Sequence, residues 1–143
     1  MKKVFVNGTF DILHVGHFML FNYAKSLGDY LIIAIDTDRR IQEKKGLLRP
    51  INCLLDRLFM LSNIHIINEV RSFDSDEELE SLVKFYEPDI MVVGSDWKDK
   101  PVIGSKYAKK LEFFCVFRSY YWFIFPVTSD YHYIRFVKFY KTF

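Results

Sequence analysis

Short apolar segments alternate with segments of helical periodicity along most of this chain of 143 residues. The most informative is DYLIIAID (29–36), a nearly continuous apolar run of the kind that is buried on both faces of a parallel sheet. Segments of similar character are KKVFVNG, NEVRSF, DIMVVG and FFCVF. Strands that alternate with helices at this spacing predict βαβ units. The sequence therefore predicts a single α/β domain with a parallel sheet of about five strands and helices on both faces.

Residues that commonly begin or end helices mark the boundaries of the predicted helices. From Gly16 onward apolar residues recur at helical spacing, and Gly28 is predicted to end this helix as a C-cap. Asn52 is predicted to cap a second helix. The segment SDEE (75–78) has the spacing of a capping box and predicts the start of another. GSKYAKKLE (104–112) is predicted to form a short helix before the last strand.

The charge and cysteine content argue against several classes of protein. The chain has 20 Lys and Arg against 18 Asp and Glu, so it lacks the strongly basic character of a nucleic-acid binder. Cys53 and Cys115 have no metal-ligand spacing, which predicts a reduced, cytoplasmic protein. The first apolar run is too short for a signal peptide. No stretch reaches the roughly 20 apolar residues of a membrane span.

Two histidines lie three residues apart in VNGTFDILHVGH (6–17), where the first strand gives way to the first helix. At a helix start this spacing places His14 and His17 on one face. Free backbone N–H groups there carry partial positive charge, so with Thr9 and Asp11 nearby the site suits phosphate oxygens. A structural helix cap is one alternative. A metal site is another, although zinc needs a third and often a fourth ligand, and only Asp11 is near.

Further polar segments are predicted to lie near this motif. Ligands of parallel α/β sheets bind at the carboxyl ends of the strands. The segment DTDRR (36–40) follows the second strand and begins a polar, basic surface helix with a loop after it. GSDWKDK (94–100) follows the fourth strand. We therefore expect all three segments at one edge of the sheet.

The segment GTFDILHVGH resembles the signature of the cytidylyltransferase-like nucleotidyltransferases, in which HxGH follows a GxFD turn. The resemblance continues through AKSLGDYLIIAIDTD, KKGLLRPINCLLDR and PDIMVVGSDWKDK, and so covers roughly residues 1–114. The heptose-phosphate adenylyltransferase and glycerol-3-phosphate cytidylyltransferase branches are the most similar. RPIN followed by DR favours the first branch, and GSDW favours the second. Archaeal-type FAD synthetase is a further relative.

The resemblance implies a Rossmann-like fold and a role for each residue of the motif. Asp11 would orient the site. His14 and His17 would hydrogen-bond the triphosphate and stabilise charge as pyrophosphate leaves. The residues of the motif implied to bind the nucleotide are Gly8, Thr9, Phe10 and Gly16.

Four other positions match the family pattern. Lys44 or Lys45 would reach the phosphates from the flexible loop, and Arg57 would contact the triphosphate. Asp96 and Trp97 would lie near the base and sugar. Three of these positions have a simpler interpretation: the lysines as solvated charge, the arginine as an ordinary surface residue, and the tryptophan as loop packing.

The implied reaction is attack by a phosphate oxygen of the acceptor on the α-phosphorus of ATP or CTP, with release of pyrophosphate. The acceptor phosphate is already a nucleophile at neutral pH, so catalysis depends on positioning and charge stabilisation. The expected partners are the nucleoside triphosphate, with Mg²⁺ as cofactor, and a sugar or polyol phosphate. No nucleic acid, membrane span or metal held by the protein alone is expected. The resemblance suggests a homodimer.

Two rival functions remain open. A catalytically impaired nucleotide-binding module would bind ATP or CTP without releasing pyrophosphate. A fragment of a class I aminoacyl-tRNA synthetase would share the HxGH chemistry, but the chain is too short and too neutral for tRNA recognition.

The aromatic content rises abruptly near the end of the chain. Residues 113–143 carry 14 of the 26 Phe, Tyr and Trp residues. Family members instead end with an arginine-containing loop, an ISTT-like segment and a helix, for which Arg118 and VTSD (127–130) are poor matches. We therefore divide the chain into a nucleotidyltransferase domain, 1–117, and an atypical tail, 118–143. An altered reading frame is the interpretation that we favour; a lineage-specific cap and a membrane-contacting segment are the alternatives.

Overall fold

A computed structural model describes residues 1–115 and contains one sheet of five parallel strands in the order β3-β2-β1-β4-β5. The predicted α/β fold is thereby confirmed. The strands are β1 (Lys3–Gly8), β2 (Tyr30–Asp36), β3 (Glu69–Phe73), β4 (Ile90–Gly94) and β5 (Lys110–Phe114). The helices are α1 (Val15–Ser26), α2 (Asp38–Lys45), α3 (Leu54–Ser62) and α4 (Asp76–Tyr86), with single 3₁₀ turns at Ser95–Trp97 and Ser105–Tyr107.

Helices cover both faces of the sheet, as the sequence predicts. Successive residues of a strand point to opposite faces. On β1, Val4 and Val6 therefore join the core formed with α1 and α3, while Phe5 joins the core formed with α4. The segment 31–35 of β2 is fully buried, which explains its unbroken apolar sequence. Among the described residues, no helix is long and apolar enough to cross a bilayer.

The two predicted caps at Gly28 and Asn52 are wrong. The helix α1 is capped by Leu27 in a right-handed conformation, and Gly28 lies beyond it. A Cβ at Gly28 would lie 2.7 Å from the carbonyl oxygen of Lys2, so the glycine is needed for close packing against the start of β1. The cap of α3 is Cys53, which makes no side-chain capping bond.

Later elements agree with the sequence in part. Ser75 caps α4 and accepts a hydrogen bond from the Glu78 backbone N–H, as the capping box predicts. The predicted helix at 104–112 is only the turn Ser105–Tyr107, and β5 begins at Lys110 instead of residue 113. The side chains of Lys110 and Glu112 form an ion pair, so this edge strand tolerates polar residues. Arg118, the segment 127–130, the domain boundary at 117 and the whole predicted tail lie outside the described residues.

The close approach at Gly28 gives a test of the fold. We expect Gly28→Ala to lower the free energy of unfolding by about 1–3 kcal/mol, because the added methyl group meets a backbone carbonyl that cannot move independently of β1. Urea unfolding followed by circular dichroism measures the change. Asn22→Ala, at an exposed position of α1, should stay within about 0.5 kcal/mol. Equal stability of the two variants would contradict the packing explanation.

Candidate functional site

The two histidines of the motif form the N-terminal cap of α1 together. His14 is the N-cap residue, and its Nδ1 accepts a hydrogen bond of 3.1 Å from the Gly16 backbone N–H. The backbone N–H of His14 in turn donates to Nδ1 of His17 over 3.4 Å. The two rings stack with their centroids 3.8 Å apart and their planes 26° apart. The predicted shared face is confirmed, and so is a structural capping role for His14.

This capping arrangement fixes where the imidazole protons are. A neutral imidazole has one N–H donor and one acceptor nitrogen. Because Nδ1 accepts in both His14 and His17, the proton of each neutral ring lies on Nε2. Among the described side chains of residues 1–115, which do not include that of Asp96, neither Nε2 donates to a protein group. The pair therefore presents two N–H donors that remain free for a ligand.

The His17 ring is uncharged near neutral pH. Burial lowers the pKa of His17 from 6.5 to about 4, and the nearby charges of His14 and Lys45 act in the same direction. The ring can thus donate a hydrogen bond without first gaining a proton. A donor of this kind suits an anionic ligand.

The turn after β1 supports the His17 ring. Phe10 has a φ of 46°, in the left-handed region that side chains other than glycine rarely adopt. Its buried ring makes an edge contact with His17 at a centroid distance of 5.1 Å and also packs on Phe21. A Cβ at Gly8 would approach the Phe10 ring to 3.0 Å, so any other residue there would require the ring to shift. Phe10 thus faces the protein interior and holds the imidazole in place.

Asp11 binds the loop that precedes α3. Its carboxylate accepts 2.8 Å hydrogen bonds from the backbone N–H groups of Ile51 and Asn52 and from Nη1 of Arg49. Burial acts to raise the pKa of Asp11, but these hydrogen bonds outweigh it and hold the pKa below its usual value. Asp11 is therefore ionised and joins the motif to the RPIN segment. Arg49 and Asn52, which lie within RPIN, thus belong to the site although the sequence pattern does not predict it.

The structure separates the two candidate lysines, which the sequence left as alternatives. Nζ of Lys45 donates to Oγ1 of Thr9 over 3.0 Å. Nζ of Lys44 instead lies 3.7 Å from the carboxylate of Asp36. Lys45 is therefore the lysine that faces the turn of the motif, at the far end of α2 from the sheet.

The remaining predicted residues lie around this edge in different ways. Arg57 is completely buried, with its guanidinium beneath the turn and bound to the carbonyl oxygen of Thr9. Trp97 lies in the 3₁₀ turn that follows β4; its side chain is 40% exposed and lies under Nζ of Lys100. Asp96 belongs to the same turn. Apart from the side chain of Asp96, which is not described, no three His, Cys, Asp or Glu side chains within residues 1–115 are grouped to hold a metal ion.

The site as a whole gathers hydrogen-bond donors around the turn at Thr9. The Nε2 groups of His14 and His17 and the ammonium group of Lys45 belong to it. The predicted free backbone N–H groups of α1 do not, because the Gly16 N–H already donates to His14. A helix start with several cationic or N–H donors favours a polyanion such as a phosphate chain. The Asp11 carboxylate, which lies beside these donors in the motif, already accepts hydrogen bonds from three N–H donors and is not available as a base.

Comparison with known proteins agrees with this geometry. A family model described as cytidylyltransferase-like matches residues 5–135. The bifunctional protein HldE of Helicobacter hepaticus is 46% identical over 110 residues, which are 77% of this chain and 23% of that protein. The bifunctional protein HldE of Nitratiruptor sp. is 44% identical over 110 residues, 77% of this chain and 24% of that protein. The chain thus spans about a quarter of the length of these curated relatives.

A solved structure shares the fold. The crystal structure of a lipopolysaccharide core biosynthesis protein from Thermoplasma volcanium superimposes with a TM-score of 0.66 and 25% identity. The match covers 81% of this chain and 96% of that one.

The lowered pKa of His17 predicts a measurable titration. In the ligand-free protein, the His17 ring should remain neutral until the pH falls to about 4, where its NMR signals should shift. The unfolded chain takes up this proton near pH 6.5, so the stability linked to His17 is present above pH 6.5 and is lost as the pH falls through 4. His17→Gln assigns the signal. Titration of His17 near pH 6.5 would contradict the burial of its ring.

The contacts of Asp11 predict a cost for losing its charge. Asp11→Asn replaces a carboxylate that accepts three donors by an amide that brings donors of its own. We expect the free energy of unfolding to fall by about 2–3 kcal/mol. Urea unfolding followed by circular dichroism measures this loss, and thermal unfolding should show a lowered Tm. Asp56→Asn, at an exposed position of α3, is the matched control and should have little effect on either measurement.

Proposed function

This chain belongs to the cytidylyltransferase-like family of nucleotidyltransferases, and we propose that it transfers a nucleoside monophosphate from ATP or CTP to a sugar or polyol phosphate. One observation carries the proposal: Lys45 binds Oγ1 of Thr9 and its charge acts on His17, whose ring stacks on that of His14. This set of donors suits a triphosphate.

The proposed reaction needs little proton transfer from the protein. A phosphate oxygen of the acceptor forms a bond to the α-phosphorus of the nucleotide, the bond from that phosphorus to the bridging oxygen breaks, and pyrophosphate leaves with the electron pair. Negative charge grows on the leaving group. His14, His17 and Lys45 stabilise that charge by hydrogen bonds that are in place before the reaction begins. The neutral state of His17 is compatible with this donor role.

We propose that Mg²⁺ enters as part of the nucleotide substrate. Mg²⁺ is usually held by one or two carboxylates together with substrate phosphates. The carboxylate of Asp11 is occupied by N–H donors. Among the described side chains, which do not include that of Asp96, no three His, Cys, Asp or Glu are grouped to hold a metal ion. When bound to the triphosphate, Mg²⁺ neutralises part of its charge. The protein residues then act on the oxygen atoms that remain.

The acceptor that we favour is a heptose phosphate, with ATP as the nucleotide. The RPIN segment that marks the heptose-phosphate branch is the segment bound by Asp11, so it forms part of the site itself. The similarity to a lipopolysaccharide core biosynthesis protein supports a sugar phosphate of the cell envelope. The turn with Trp97 resembles the glycerol-phosphate branch and favours CTP and glycerol 3-phosphate as the second candidate.

A screen for pyrophosphate release distinguishes these candidates. Each of ATP, CTP, GTP and UTP is combined with Mg²⁺ and with a heptose 1-phosphate, glycerol 3-phosphate or FMN as acceptor. We expect release with ATP and the heptose phosphate. Release with FMN alone would indicate an FAD synthetase. Nucleotide binding by calorimetry without release for any pair would indicate a catalytically impaired binding module.

Loss of the His17 donor should impair turnover more than binding. We expect His17→Ala to lower kcat roughly 10²- to 10³-fold, as removal of one preorganised donor does in other transfer reactions. His65→Ala, which removes an exposed histidine outside the site, should leave kcat unchanged. Steady-state kinetics on the pair of variants measures the difference. Unchanged turnover of His17→Ala would remove His17 from the mechanism.

A further inference from the structure

Arg57 is the largest completely buried side chain among the described residues. A guanidinium has five N–H donors. Nη1 donates to the carbonyl oxygens of Thr9 and Asp36, both over 2.8 Å. Nη2 donates to Oδ1 of Asp38 over 2.7 Å, and Nε donates to the carbonyl oxygen of Asn52 over 3.1 Å. Four donors are therefore engaged with the protein, and the side chain has no surface left for a ligand.

The four partners of Arg57 come from four different parts of the chain. Thr9 lies in the turn after β1, and Asp36 is the last residue of β2. Asp38 begins α2, and Asn52 lies just before α3. The guanidinium thus joins the turn of the motif to the starts of both helices that follow β2.

The carboxylate of Asp38 completes this connection. Its Oδ1 accepts from Arg57, and its Oδ2 accepts from the backbone N–H of Leu54 over 3.0 Å. Asp38 therefore neutralises the buried cation and also binds the first residue of α3. A charge inside a protein is stable only with such partners, so removing either member of the pair is costly.

The far end of α2 carries the lysine of the site. Asp38 is the first residue of α2 and Lys45 is the last, and the helix is about 12 Å long. Fixing the first residue of a short rigid helix also fixes its last. Thr9 links the two ends, because its carbonyl oxygen is bound by Arg57 and its Oγ1 by Lys45.

From these contacts we propose that Arg57 is a positioning residue, which fixes Lys45 and the turn at Thr9 relative to each other and does not contact the triphosphate. This differs from the role that the family resemblance implies for Arg57. The inference rests on the proposed function in one respect: that function identifies the bound anion as a triphosphate. The arrangement itself belongs to the ligand-free protein and can be tested there.

The first test uses His17 as a reporter in the absence of substrate. Arg57→Lys keeps the positive charge but cannot reach four separated acceptors. Because Lys45 lowers the pKa of His17, displacement of Lys45 in this variant should raise that pKa, as Lys45→Ala should also do. NMR titration should then show a smaller effect of Lys45→Ala in the Arg57→Lys background than in the wild type.

The second test uses turnover. We expect Arg57→Lys to lower kcat at least about tenfold, with the loss in Arg57→Lys/Lys45→Ala smaller than the product of the two single losses. Arg39→Lys is the matched control. Arg39 is an exposed arginine of α2, the helix that carries Lys45, and it binds Glu43 and Asp74 but not the turn at Thr9. This control should change neither kcat nor the His17 titration.

Other outcomes would overturn the proposal. A direct phosphate ligand would give losses that multiply, a raised KM for the nucleotide and an unchanged His17 titration in Arg57→Lys. If Arg57→Lys does not fold, Asp38→Asn replaces it, since it breaks the same connection from the other side with little change in shape. Absence of pyrophosphate release by the wild type would refute the proposed function, while the NMR titration would still decide the role of Arg57.

Discussion

Burial of the central strands on both faces is the constraint on which the site depends. β1 and β2 have apolar helices above and below them, so along most of their length they have no room for polar chemistry. Polar groups of the site are therefore concentrated at and just beyond the carboxyl ends of the strands, where parallel strands all end at one edge. The turn at Thr9 and the residues after β2 therefore meet because of the sheet, and not because of their distance in the sequence.

The turns at this edge are held by buried charges that bind backbone groups. Asp11 accepts from backbone N–H groups of the RPIN segment, and Arg57 donates to backbone carbonyl oxygens. Arg40 adds a buried ion pair between two side chains, because its Nε donates to Oδ1 of Asp36 over 2.7 Å. Buried backbone groups have lost their hydrogen bonds with water. A buried ion that pairs with them fixes the path of the chain, because any other path would leave these groups without a partner. The ligand-facing donors are thus supported by residues that do not face the ligand.

Much of the fold follows from the sequence, whereas several contacts do not. The strands were predictable from apolar runs, and the shared face of His14 and His17 from their spacing. The predicted cap at Asn52 fails because its side chain binds the carbonyl oxygen of Asp11, a tertiary contact that local propensity does not contain. The sequence alone does not show whether Lys44 or Lys45 faces the turn at Thr9. Adjacent helical residues point in directions about 100° apart, and only the packing of the helix on the sheet defines which of them faces the turn. Burial of Arg57 was unforeseen because a helix pattern places an arginine in solvent by default.

The uncharged state of the His17 ring also affects how an anion would enter the site. A charged imidazolium would attract counter-ions from the solution, and an arriving anion would have to displace them. A neutral N–H group holds none, so the ionic-strength dependence of anion capture should come chiefly from the ammonium group beside Thr9. The ammonium group thus supplies a long-range attraction that salt weakens. The neutral ring supplies a short-range hydrogen bond that salt barely changes.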